Sequence, residues 1–99
     1  MKITKKDALA MLQTARYVTV TKFEGKDIYG VLEKKPATRL MNIPRRVTDT
    51  RSSSVKLGES WVDIDARTNV ELDDEGQLIV TGIDGEGEPW VRITYKVEK

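Results

Sequence analysis

The stretch Trp90-Val91-Arg92-Ile93-Thr94-Tyr95-Lys96-Val97 alternates without a break, with Val91, Ile93, Tyr95 and Val97 on one side and Arg92, Thr94 and Lys96 on the other. Successive side chains of an extended chain point to opposite faces, so a period of two reads as a β-strand with one face on a core. Working back from it, Asp84-Gly85-Glu86-Gly87 supplies a turn and Leu78-Ile79-Val80-Thr81 a preceding strand. Asp73-Asp74-Glu75-Gly76 is a second turn, before which Asn69-Val70-Glu71-Leu72 and Trp61-Val62-Asp63-Ile64-Asp65 complete a meander.

The amino-terminal half begins differently. Thr4 is a good N-cap, Asp7 can answer it in a capping box, and Ala8, Met11, Leu12 and Ala15 follow the spacing of one buried helical face. A helix over about residues 5–14 is expected, too short to stand alone and so packed on the sheet. At Tyr17 the pattern switches to β-branched and aromatic residues, Tyr17-Val18-Thr19-Val20-Thr21-Lys22-Phe23. Glu24-Gly25-Lys26-Asp27 reads as a turn into a strand over Ile28-Tyr29-Gly30-Val31-Leu32, with a bulge or bend at Gly30. Pro36 and Pro44 bracket Ala37 to Ile43, an edge strand on this pattern.

Many short strands with close turns predict an α+β, mostly antiparallel β fold. The short N-terminal helix would pack on a small barrel or curved meander sheet of about six to seven strands. The spacing of Val18, Val20, Gly25, Gly30 and Leu32 resembles the first two strands of Sm-like small barrels, which also begin with a helix; the resemblance implies a small barrel. The family's second signature, an Arg-Gly or Lys-Gly step late in the chain, is absent, and no RNA-binding residues are carried over.

Ninety-nine residues fit one domain, 1–99, with a modest core. With no Cys, disulfides, thiolate nucleophiles and Cys-based zinc sites are excluded; with no His, so is hydrolysis of the Ser-His-Asp type. No apolar run is long enough for a signal peptide or a membrane span, so a cytoplasmic protein with no membrane partner is expected.

The net charge of +1 hides a division. Residues 1–57 hold thirteen Lys or Arg against five Asp or Glu, net +8; residues 58–99 hold four against eleven, net −7. The first expectation is that the halves pair within the fold; the others are an anionic partner on the basic side and homo-oligomers joined through opposite charges.

The basic charge is densest from Lys34 to Lys56, where Lys34, Lys35, Arg39, Arg45, Arg46, Arg51 and Lys56 face one acid, Asp49, net +6. Apolar residues nearly vanish from Arg45 to Ser54, which reads as a long loop or mobile hairpin arm, about 44–55. The anion-binding candidates are Arg39, Arg45, Arg46, Thr48, Arg51, Ser52, Ser53, Ser54 and Lys56, because guanidinium forks, hydroxyls and loop amides suit phosphate oxygens. The segment has no aromatic residue of its own, so backbone recognition is expected there and not base stacking.

Other groupings are weaker. Asp63 and Asp65 could share a Mg²⁺ but fit an ordinary acidic strand face. Asp84, Glu86 and Glu88 alternate like a calcium loop until Pro89 stands where glycine is needed; a hairpin turn fits better. Asp27, Glu33 and Lys35 only loosely resemble a metal-nuclease set. Trp61 and Trp90 read as core or lid residues. The expected protein has no catalytic residues, metal or cofactor. Its basic loop meets a nucleic-acid backbone or a phosphorylated or nucleotide ligand; the alternative is a protein–protein interaction module or inhibitor whose acidic half meets a basic protein.

Overall fold

A computed structural model describes residues 1–26, 32–34 and 41–99. In chain order the elements are α1 (Lys5–Gln13), β1 (Tyr17–Lys26), β2 (Leu32–Lys34), β3 (Val47–Thr50), β4 (Ser54–Leu57), β5 (Ser60–Asp63), β6 (Thr68–Leu72), β7 (Leu78–Ile83) and β8 (Pro89–Glu98). All named strand pairs are antiparallel. They form a five-stranded sheet, β2-β1-β8-β7-β6, and a three-stranded sheet, β3-β4-β5.

Among the described residues the strands form two sheets that do not close, in place of the single small barrel, which the Sm-like resemblance supported, or curved meander sheet that was expected. Eight strands are found among the described residues against the six to seven expected. The extra ones come from the polar stretch after Pro44, where apolar periodicity is too thin to mark a strand.

The register explains the core. Val18 pairs with Val97, Val20 with Tyr95 and Phe23 with Ile93. A shift between Val20 and Lys22 leaves Thr21 unpaired. That bulge places Val20 and Phe23 on one face although an odd number of positions separates them. Next door, Leu78 pairs with Tyr95 and Val80 with Ile93, and β6 adds Val70 and Leu72. The core is completed by Val55, Leu57 and Val62 of the small sheet and by Ala8 and Leu12 of the helix. Leu12, Leu78, Val18 and Val55 are wholly enclosed, and burying each contributes about 1.5–3 kcal/mol.

The helix begins as expected, with Thr4 Oγ1 accepting from the Asp7 N–H at 3.1 Å, but it ends at Gln13, one residue short of the expected limit, with Thr14 as C-cap. Among the described hydrogen bonds the Asp7 carboxylate makes no return bond to Thr4, so the box is half formed. Before the helix, Met1 and Leu72 exchange backbone hydrogen bonds, tying the amino terminus to the edge of β6.

Other expectations shift. β1 runs through Glu24, Gly25 and Lys26, which were read as a turn, because its register with β8 continues to Gly25 and its register with β2 to Lys26. Ile28 to Val31 and most of the expected 37–43 strand lie outside the described residues; Met41 makes an isolated bridge to Val20, and Asn42 turns the chain at φ 60°. On β8, Thr94 is buried although it alternates with Tyr95, so its face is not purely a solvent face.

Candidate functional site: two arginine-on-aromatic stacks

The stretch read as loop 44–55 is structured in three steps. Arg45 exchanges backbone hydrogen bonds with Val18 of the large sheet, at 2.8 and 3.0 Å. The next carbonyl, that of Arg46, accepts from Gly58 N–H at 3.1 Å in the β4–β5 turn. This short crossing joins the two sheets. The chain then enters β3, turns over Ser52 and Ser53 with Arg51 N–H donating to Ser54 O at 2.9 Å, and returns as β4. A paired hairpin over residues 47–57 therefore stands where a long loop or mobile hairpin arm over about 44–55 was expected. β4 is well buried through Val55 and Leu57. The Val55-Lys56-Leu57 alternation followed by Gly58 was the available signal.

Neighbouring residues on extended chain face opposite ways, which separates Arg45 from Arg46. Arg45 is partly buried and turns inward, its Nη1 donating to Leu57 O at 3.4 Å. Arg46 turns outward over the ring of Tyr17, 5.7 Å from its centroid; Arg16 lies at the same distance from that ring. At the other end of β3, Arg51 lies over the Trp61 ring at 4.2 Å. Five residues of extended chain put Arg46 and Arg51 about 16 Å apart. Lys56 is the cross-strand neighbour of both Trp61 and Asp49, so it joins Trp61 on the outward face.

The aromatics that the basic segment lacks therefore arrive from β1 and β5. No pattern within residues 34–56 could reveal them, because the pairing is made across strands distant in sequence. Trp61 is half-buried beneath its arginine, whereas Trp90, read as core or lid, is 51% exposed. The indole of Trp90 leans instead over Gly82, where an added Cβ would meet Trp90 Nε1 at 3.0 Å and Val91 Cγ1 at 2.8 Å.

The hydroxyls divide as well. Thr48 Oγ1 donates back to Gly58 O at 2.8 Å, and buried Ser54 donates to Asp63 Oδ1 at 2.7 Å. Ser52 and Ser53 sit at the turn, Ser52 exposed. Arg39 lies outside the described residues. Among the described residues, neither Arg46 nor Arg51 has a carboxylate within salt-bridge distance. The ion pairs there are Lys26–Asp84, Arg92–Glu24 and Lys96–Glu98, each 3.4 Å. Lys26–Asp84 alone among them joins a base of the first half to an acid of the second; Arg92–Glu24 crosses in the opposite sense, and both lie on the large sheet away from the basic hairpin.

In the acidic half, Asp63, Asp65 and Asp84 border one cleft with Trp90, while Asp73, Asp74 and Glu75 lie at the opposite end of β7. Asp73 Oδ1 accepts from the N–H groups of Glu75 and Gln77, and Asp84 Oδ1 accepts from those of Glu86 and Glu88. Gly76 and Gly87 follow at φ 75° and 82°, a left-handed region open to glycine, so the two turns share one design. The calcium-like pattern at residues 84–88 is thus a hairpin turn, as the hairpin reading had it. Hydrogen bonds from Glu88 N–H and then Glu86 N–H, with Lys26 beside them, hold the Asp84 carboxyl below the usual carboxylate range. The two turns occupy opposite ends of β7.

Asp63 and Asp65 do not share a strand: β5 ends at Asp63, and Asp65 Oδ1 caps Arg67 N–H at 2.8 Å. No group of three or more acids placed to hold a metal occurs among the described residues. Of the nuclease-like set, Asp27 and Lys35 lie outside the described residues. Among the described residues no helix is long and apolar enough to cross a membrane. Compared with protein-family models, curated proteins and solved structures, the chain matches none of them.

Proposed function

We propose that this protein is a non-enzymatic binder of phosphate-bearing polyanions, engaging a nucleic-acid backbone with the outward face of the β3-β4-β5 sheet. The observation that carries the reading is the set of cation–π contacts, Arg16 and Arg46 each 5.7 Å from the Tyr17 ring centroid and Arg51 4.2 Å from that of Trp61. A guanidinium lying on an aromatic face is held through its π surface, while its N–H donors lie in its own plane and stay directed outward. Such arginines are positioned before a ligand arrives, which reduces the ordering cost of binding. Phosphate oxygens match the guanidinium fork, and Lys56 adds a point charge beside them.

An acidic-surface interaction module has less support from the geometry. Asp73, Asp74 and Glu75 are separated from Asp84, Glu86 and Glu88 by the whole of β7, about 20 Å, so they do not form one field.

The test is titration against labelled single-stranded DNA, single-stranded RNA, duplex DNA and a nucleotide panel at two salt concentrations. Binding that weakens steeply with salt and drops tenfold or more in the Arg46→Ala, Arg51→Ala double variant is expected. Salt-insensitive binding, or an unchanged affinity in the folded double variant, would overturn the reading.

A further inference from the structure

Arg45 belongs to a different place from its neighbours. Between the two sheets lies a cleft of about 350 Å³, lined by Val20, Phe23, Leu57, Val62, Ile93 and Tyr95, and also bordered by Trp61, the ring that carries Arg51. Its few polar contributions include Arg45 and Ser60. This volume and composition match those of small-molecule sites, which are mostly apolar with a few polar groups that fix orientation.

We propose that this cleft binds a small amphipathic carboxylate, its hydrocarbon body between the sheets and its carboxylate on Arg45. Three features lead to that ligand class. The Thr21 bulge brings Val20 and Phe23 onto the face shared by Ile93 and Tyr95, giving a wall able to exclude water from a hydrocarbon chain. The opposite wall carries Leu57, Val62 and Trp61, with Ser60 beside them. The charged side chain at the cleft is a partly buried arginine, and its described hydrogen bond, to Leu57 O, is long at 3.4 Å. A carboxylate can accept two parallel N–H bonds from such a group, which a lone backbone carbonyl cannot reproduce. A neutral ligand of the same shape would leave that charge unanswered, so selection for the anion is built in.

The experiment uses octanoate and octanol as probes, followed by amide chemical shifts and calorimetry on the full chain. Octanoate is expected to bind saturably, one per chain, shifting the amides of Val20, Phe23, Ile93 and Tyr95. Octanol should bind at least tenfold more weakly. Arg45→Met should bring octanoate down to the octanol level and leave octanol unchanged. Equal affinities for the two probes on the unaltered protein would overturn the proposal without needing any variant. So would the absence of saturable shifts at those four residues, or an unchanged preference in folded Arg45→Met. The Arg46→Ala variant, altered at a residue outside the cleft, should bind octanoate normally, which keeps this site's outcome separate from that of the outward basic face.

Discussion

The two sheets are built on different terms. The five-stranded sheet has two ten-residue strands, β1 and β8, paired along most of their length and contributing a continuous apolar face. The three-stranded sheet has strands of four residues, with one side buried through Val55, Leu57 and Val62 and the other carrying Asp49, Lys56 and Trp61. Long pairing and many apolar neighbours make the first a support. The second gains its order from packing on that support, and its outward side is left to hold charge. The difference teaches where stability and binding are to be sought, and it can be broken by substitution.

The largest expected effect is on the support. Leu78→Ala removes an enclosed side chain opposite Tyr95 and should cost about 3 kcal/mol in urea unfolding. The Arg46→Ala, Arg51→Ala variant loses two exposed cation–π contacts and should cost about 1–2 kcal/mol at most while losing affinity. If the arginine variant were as destabilised as Leu78→Ala, the division between the sheets would fail.

Next comes Gly82→Ala. Its Cβ would press on Val91 and Trp90, so a loss of about 1–3 kcal/mol is expected together with a changed Trp90 fluorescence. An unperturbed emission and full stability would show that the β7–β8 end yields more readily than the register implies.

A third effect sharpens the contrast through pH. Tyr95 is 4% exposed, and burial pushes its phenol above the ordinary tyrosine range. The folded protein therefore holds this proton more tightly than the unfolded chain. Unfolding releases it once the pH exceeds the unfolded value near about 10, so stability falls as pH rises beyond that point. Comparison with Tyr95→Phe should isolate a slope of up to about 1.4 kcal/mol per pH unit. Identical alkaline slopes in the two proteins would count against an enclosed phenol.

The smallest effect is at the β7–β8 turn. The Asp84 carboxyl is held low, so whatever it contributes is present above the unfolded carboxylate pKa and disappears as pH falls through its folded value. Asp84→Asn should be slightly less stable at neutral pH and should lack that loss on acidification, measured by thermal unfolding between about pH 2 and 6. A variant with the same acid profile as the parent would remove Asp84 from the accounting of the turn.

Much of the large sheet was legible because its information is local. The Thr4 cap, the helical spacing of Ala8 and Leu12, and the alternation through β6, β7 and β8 each lie within one segment. The Asp-x-Glu-Gly pattern occurs at both Asp73 and Asp84, and its turn chemistry acts over five residues. The hairpin of β3 and β4 was harder to read. Four-residue strands rich in Thr, Asp and Arg carry little periodicity, and their burial depends on what packs against them.

Residue chemistry alone thus determined a mostly antiparallel β chain with a short capped helix, a basic first half and no cysteine or histidine chemistry. Only the tertiary structure decided that the sheets stay open, that Tyr17 and Trp61 lie beneath Arg46 and Arg51, and that Arg45 faces a cleft instead of joining them. The physical reason is range. Caps, turns and alternation are settled by neighbours a few residues apart. Which ring meets which guanidinium, and which side of a four-residue strand is covered, is settled by strand pairing between segments far apart in the chain.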